Sequence, residues 1–165
     1  MVVACYVVEM KRSIRNMLSY RVTDGLRTLG TVGDYYLSHV SWTIEYVLLK
    51  EESQSAVRVL PVAPNHFDFD KHTLCLRPEE ENTPSGAAVP FLRRAGKLTA
   101  LSVLEALGRA AIIEDAVVDD ADLSVTYLIV NGGDLFSDRR ALVDPRNLVR
   151  IDWRNGRAYL ATALF

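Results

Sequence analysis

The stretch "WTIEYVLLK" (residues 42–50) has a near-echo downstream in "LSVTYLIVN" (residues 123–131). Self-similarity at a fixed spacing marks a duplicated fold and is weighed before any local propensity. The register is clean. Asp34 aligns with Asp115, Trp42 with Leu123, Ile44 with Val125, Tyr46 with Tyr127 and Leu49 with Val130, all at one offset (115 minus 34 is 81). Further on, "VLP" (residues 59–61) matches "ALV" (residues 141–143), and "FDFD" ending at Asp70 matches "RID" ending at Asp152, both at an offset of 82 (152 minus 70). "TLCL" (residues 73–76) and "AYLA" (residues 158–161) correspond approximately, and "SIRNMLSYRVTDG" has a faint counterpart in "LTALSVLEALGRA".

Within each copy, β-branched and aromatic residues fall in short runs separated by turn residues about every ten positions, the pattern of an all-β fold. "DGLRTLG" (residues 24–30) carries an Asp-Gly hairpin signal ahead of a long strand over about residues 31–37. "WTIEYVLLK" begins with alternation and ends apolar on both faces, so its second half belongs at the centre of a sheet. "APNH" supplies a proline turn before "FDFD", Pro145 starts a short helical turn, and "RNG" closes the last hairpin. About six short strands per copy result. The stretch "RPEEENTPSGAAVPFLRRAGK" (residues 77–97), with three prolines, two glycines and an acidic run, reads as an extended linker. The expected organisation is a first domain over residues 1–80, a linker over 81–98 and a second domain over 99–165.

Composition bounds the function. The 165 residues are 49% hydrophobic and 24% charged, enough apolar material for a packed core. Net charge is -2, which leaves no basic excess to neutralise a phosphate backbone. Cys5 and Cys75 have no C-x-x-C spacing, so a reducing, cytoplasmic setting is expected. "VVACYVV" (residues 2–8) is far shorter than the roughly 20 residues of a membrane span, and Lys11 and Arg12 follow it where a secretory leader would have them first.

"MLSYRVTDGLRTLGTVGDYYLSHVSWTIEYVLL" (residues 17–49) resembles the opening of PRC-barrel domains, with their Gly-x-Val-x-Asp strand, turn and strand ending in tyrosine and three hydrophobic residues. "VTYLIVNGGDLFSDRRALVDPRNLVRIDWRNGRAYL" (residues 125–160) is similar to the closing half of the same domain. One departure is Ser19, where the family usually has glycine. The resemblance implies two tandem PRC-barrel-like β-barrels related by duplication, in a family that docks onto other macromolecules. Examples are the cytoplasmic part of the photosynthetic reaction-centre H subunit and the C-terminal domain of the ribosome maturation factor RimM. The family brings no shared catalytic residues and no cofactor.

Several constellations are candidate sites. On a strand, "HFDFDKH" would project His66, Asp68, Asp70 and His72 to one face, where imidazole and carboxylate hold divalent metals. The preferred reading places Phe67 and Phe69 in the barrel, the polar set in water, and no metal. "DDAD" (residues 119–122) lacks the central glycine and distal glutamate of a calcium loop and reads as a turn; His39 falls in the equivalent turn of the first copy and is expected to be exposed. Asp34 and Asp115, repeated carboxylates in apolar strands, need backbone donors or a basic partner. No phosphate loop, H-E-x-x-H or G-x-S-x-G occurs, so a non-enzyme is expected. Trp42 and Trp153 are each core or rim. Trp153 beside Arg150, Arg154 and Arg157 forms an aromatic-plus-arginine surface of the kind interfaces favour, with a Trp covered by arginine stems as the other reading.

The expected function is a non-catalytic docking or assembly module for a protein partner, an internal pseudo-dimer still able to homodimerise, with no membrane span. The alternatives are a ribosome or RNA-processing accessory, which would gather Arg93, Arg94, Lys97, Arg109, Arg139, Arg140, Arg146 and Arg150 into one cluster, or a small-ligand or metal-binding barrel.

Overall fold

The computed structural model of the chain describes residues 10–51, 57–76, 92–105, 110–132 and 140–161. An arm of β1 (Lys11–Ser13) and α1 (Ile14–Met17) comes first. The first unit follows: β2 (Arg21–Thr23), β3 (Thr28–Ser38), β4 (Thr43–Glu51), β5 (Val57–Pro61), β6 (Phe67–Asp68) and β7 (Thr73–Cys75). A second arm, β8 (Leu92–Arg94) and α2 (Ala95–Leu98), precedes the second unit. That unit contains β9 (Ser102–Leu104), β10 (Ala110–Asp119), β11 (Val125–Asn131), β12 (Arg140–Val143), β13 (Leu148–Asp152) and β14 (Arg157–Leu160). The sheet orders are β5-β4-β3-β2-β7-β6 and β12-β11-β10-β9-β14-β13, one topology used twice. The chain is therefore all-β with two barrel-like units, and the strands found for each copy match in number.

The long strands carry the duplication in their irregularities. In β3 the register slips between Val32 and Asp34, leaving Gly33 unpaired, and in β10 it slips between Ile113 and Asp115, leaving Glu114 unpaired. These bulges lie 81 residues apart (114 minus 33) and turn the aspartate that follows each of them. Gly30 permits the closest approach of β3 to β4: an added Cβ would lie 2.0 Å from the Lys50 carbonyl oxygen. Ser19 has a φ of 72°, in the left-handed region that glycine enters without strain.

The arms are exchanged. β1 pairs with β10 of the second unit, whereas β8 pairs with β3 of the first. The strand and helical turn of the two arms correspond at the same offset (92 minus 11 is 81), so Ser13 matches Arg94, four residues before the Leu98 at which the faint sequence echo began (98 minus 94). Residues 92–98, whose composition reads as linker, are this second arm; Leu92, Ala95 and Leu98 are buried and supply the apolar spacing that docks it.

The units also meet through their inter-strand turns. Trp42 and Leu123, both at positive φ (56° and 61°), present their carbonyls reciprocally: Val125 N–H donates to Trp42 O at 2.6 Å and Ile44 N–H to Leu123 O at 3.0 Å. A single bridge between Thr43 and Ser124, equivalent positions of the two copies, lies between them. Trp42 is buried. One apolar cluster runs through both units, including Tyr35, Val47 and Leu74 from the first and Val103, Ile113 and Leu128 from the second.

Sequence offsets in the second half of each copy need correction. Strand pairing sets Leu60 opposite Val47 and Val143 opposite Leu128, an offset of 83 (143 minus 60) where the sequence match gave 82. A one-residue slip would reverse every side chain, and both Leu60 and Val143 are in fact buried. The helical turns Pro64–His66 and Pro145–Asn147 return to 81, and the last hairpins align Asp68 with Asp152 at 84 because β13 is three residues longer than β6.

Candidate functional site

The closing hairpin of the second unit, β13–β14, is fixed by its own turn. Asp152 accepts the Asn155 N–H at 3.1 Å and the Asn155 side-chain amide at 2.8 Å, and these bonds hold its carboxyl below the usual range. Gly156 supplies the positive φ (65°) that closes the turn. Trp153, at the start of this turn, is half-buried and packs against the core. The Arg93 guanidinium lies 5.3 Å from its ring centroid and the His39 ring 5.8 Å away, edge-on. His39, expected to be exposed, is half-buried by this contact. Elements from three places converge here: the β3–β4 turn, the second arm and the closing hairpin.

The arginine over Trp153 is thus Arg93, 60 residues away (153 minus 93), and no sequence-local pattern announces it. Arg150 is exposed and its guanidinium stands 5.4 Å from the Tyr159 centroid on the neighbouring strand. Arg154 and Arg157 are exposed, with Arg157 opposite Asp152 in the ladder.

The equivalent positions in the first unit have a different character. Phe69 replaces Trp153, Arg12 replaces Arg93 at 5.6 Å from the ring, and Asp120 replaces His39 and binds Arg12 at 3.1 Å. Around Phe69 stand Asp68 and Asp70 where Asp152 and Arg154 stand around Trp153. One site is carboxylate-rich and the other arginine-rich.

The "HFDFDKH" residues do not share one face. β6 ends at Asp68 and residues 69–72 turn, so the strand on which that expectation rested is only two residues long. His66 Nδ1 accepts the Ala63 N–H at 3.2 Å, and Asp68 binds the Lys71 amide and ammonium at 3.0 and 2.8 Å. His72, at φ 51°, sets its ring 5.3 Å from Tyr20. Asp70 lies in the turn. Among the described residues no group of three His, Cys, Asp or Glu side chains is arranged to hold a metal. Phe67 and Phe69 stack at 5.1 Å and pack on the core. In "DDAD", Asp119 and Asp122 accept backbone N–H groups of Ala121 and Ser124, as in a turn.

Asp34 and Asp115 grip the arms. Asp115 accepts N–H groups of Arg15 at 3.2 Å and Ala116 at 2.8 Å, and the Ser13 hydroxyl donates to its other oxygen. Asp34 accepts N–H groups of Gly96 at 3.2 Å and Tyr35 at 2.8 Å. Arg15 and Gly96 are equivalent positions, so each unit's aspartate binds a backbone donor in the first turn of the arm that crosses to it.

Of the arginines expected to gather for RNA, Arg140 is bound to Glu114 at 2.7 Å and Arg146 to Asp144 at 2.7 Å, while Arg94 donates to the Tyr36 hydroxyl at 3.1 Å. Lys97 lies in α2. Arg109 and Arg139 lie outside the described residues, as does Cys5; Cys75 is a free, exposed thiol. Among the described residues no helix is long and apolar enough to cross a membrane. Comparison with protein-family models and with curated proteins returns no match.

Proposed function

We propose that this chain is a non-catalytic, cytoplasmic docking module that holds a protein partner against the closing hairpin of its second unit. The observation that carries this reading is Trp153, half-buried where three elements converge and fringed by exposed Arg150, Arg154 and Arg157 on one hairpin. Interface energy concentrates in tryptophan and arginine set in firm surroundings. The exchanged arms supply those surroundings, since they tie the second unit to the first through strand pairing on both sides. The resemblance to PRC-barrel domains supports the same reading.

The test is capture of partners from native extract by the tagged full chain, with and without nuclease, beside the charge-reversal variant R154E/R157E. A stoichiometric, nuclease-resistant protein lost by at least about tenfold in the variant is the expected result. Nuclease-sensitive recovery of RNA-binding proteins, or recovery of the same partner by both chains, would overturn it.

A further inference from the structure

Two grooves of about 280 Å³ each flank the junction of the units, lined by equivalent positions of the two copies. Each is walled by the opening of one unit's strand, by that unit's short helical turn and by the opposite unit's inter-strand turn. Ile44, Tyr46, Pro64 and Leu123 line the first-unit groove. Val125, Tyr127, Pro145 and Trp42 take the same places in its mate, position for position at an offset of 81 (127 minus 46).

The apolar walls match, but the charges do not. In the second-unit groove Arg146 is closed on Asp144 by bonds of 2.7 and 2.9 Å, so the pair neutralises itself. In the first-unit groove Ala63 stands where Asp144 would be, and the charged lining residues are Glu45 and Asp122, with no Lys or Arg among them. Glu45 is half-buried and forms no ion pair among the described residues. Bonds to the Ser124 hydroxyl and N–H hold the Asp122 carboxyl below the usual range.

We propose that the first-unit groove docks an extended segment of a protein partner that presents a lysine or arginine between apolar residues. This rests on the docking-module reading and adds a second contact to it. Tyr46, Pro61 and Pro64 cover the apolar side chains, and the cation lies between Glu45 and Asp122. Half-burial of Glu45 leaves the attraction less screened than at an open surface.

The test screens a phage-displayed random octapeptide library on the full chain at low salt, then titrates the best peptide into the 15N-labelled protein. Enrichment of Lys or Arg beside apolar residues is expected, with amide shifts at Thr43–Tyr46 and Leu123. Glu45→Gln with Asp122→Asn, near-isosteric and able to keep the Ser124 bond, weakens binding by about fivefold or more, and Arg146→Ala leaves it unchanged. Enrichment without basic residues, no enrichment, or shifts confined to another surface would overturn the proposal. A partner lost with R154E/R157E yet retained by the Glu45/Asp122 variant would sink this groove and leave the hairpin reading standing.

Discussion

The Asp115 carboxylate accepts the Arg15 N–H at 3.2 Å across a hundred residues of chain. Asp34 does the same for Gly96, so the two contacts form a symmetric clasp between halves. Removing the Asp115 carboxylate leaves two N–H groups and the Ser13 hydroxyl without their acceptor in a buried setting. Asp115→Ala is expected to cost about 2–3 kcal/mol, and Asp34→Ala, at a half-exposed site, about 1 kcal/mol. Urea unfolding of both variants measures this; equal costs would refute the clasp's dependence on burial.

Gly30 and Gly33 sit three residues apart on β3, yet their substitutions should differ sharply. A Cβ at Gly30 collides with the Lys50 backbone oxygen at 2.0 Å, whereas one at Gly33 meets the flexible Lys50 side chain at 2.7 Å. Gly30→Ala is expected to lose at least about 2 kcal/mol, or to fail to fold. Gly33→Ala folds normally. Thermal melts of the two proteins decide it.

Tyr35 donates its buried hydroxyl to the Met17 carbonyl at 2.9 Å, and burial pushes its phenol far above the ordinary value. Because the folded chain holds this proton more tightly than the unfolded one, the stabilisation is fully present below about pH 10 and lost as pH rises beyond it. Tyr35→Phe should cost about 1 kcal/mol at neutral pH and flatten the alkaline fall in stability. Denaturant midpoints from pH 8 to 11 give the slope; an unchanged slope would argue against Tyr35 as its source.

Cutting the chain between the units should not separate them. With a site-specific protease sequence introduced between Arg77 and Phe91, the cleaved halves are expected to co-elute under native conditions and part only in denaturant. β1 remains paired with β10 and β8 with β3. Separate elution without denaturant would show that the covalent link, rather than the exchange, holds the pair.

The strand-rich repeat was readable because "WTIEYVLLK" and "LSVTYLIVN" occupy one ladder position, where burial restricts both copies to similar residues. The arms were nearly invisible: Ile14 and Met17 correspond to Ala95 and Leu98, which share burial but little identity. The hairpin offset misled for a physical reason, since β13's extra length can be placed anywhere by letters but only in one place by pairing. Asp34 and Asp115 were visible as paired carboxylates, yet their donors belong to segments distant in sequence. Trp153 and its hairpin arginines could be read as neighbours; Arg93 and His39 could not, because tertiary packing alone brings them there.

The exchanged arms also impose an order on synthesis. Lys11–Ser13 leaves the exit tunnel about a hundred residues before Val117–Asp119, its partners in β10. Until then the first half waits with its arm undocked, even after Leu92–Arg94 has emerged to cover the β3 edge. Domains usually fold as they emerge, N-terminal first. Here an arm made early is among the last segments to find its place, so the newborn chain is most exposed while its second half is still being translated.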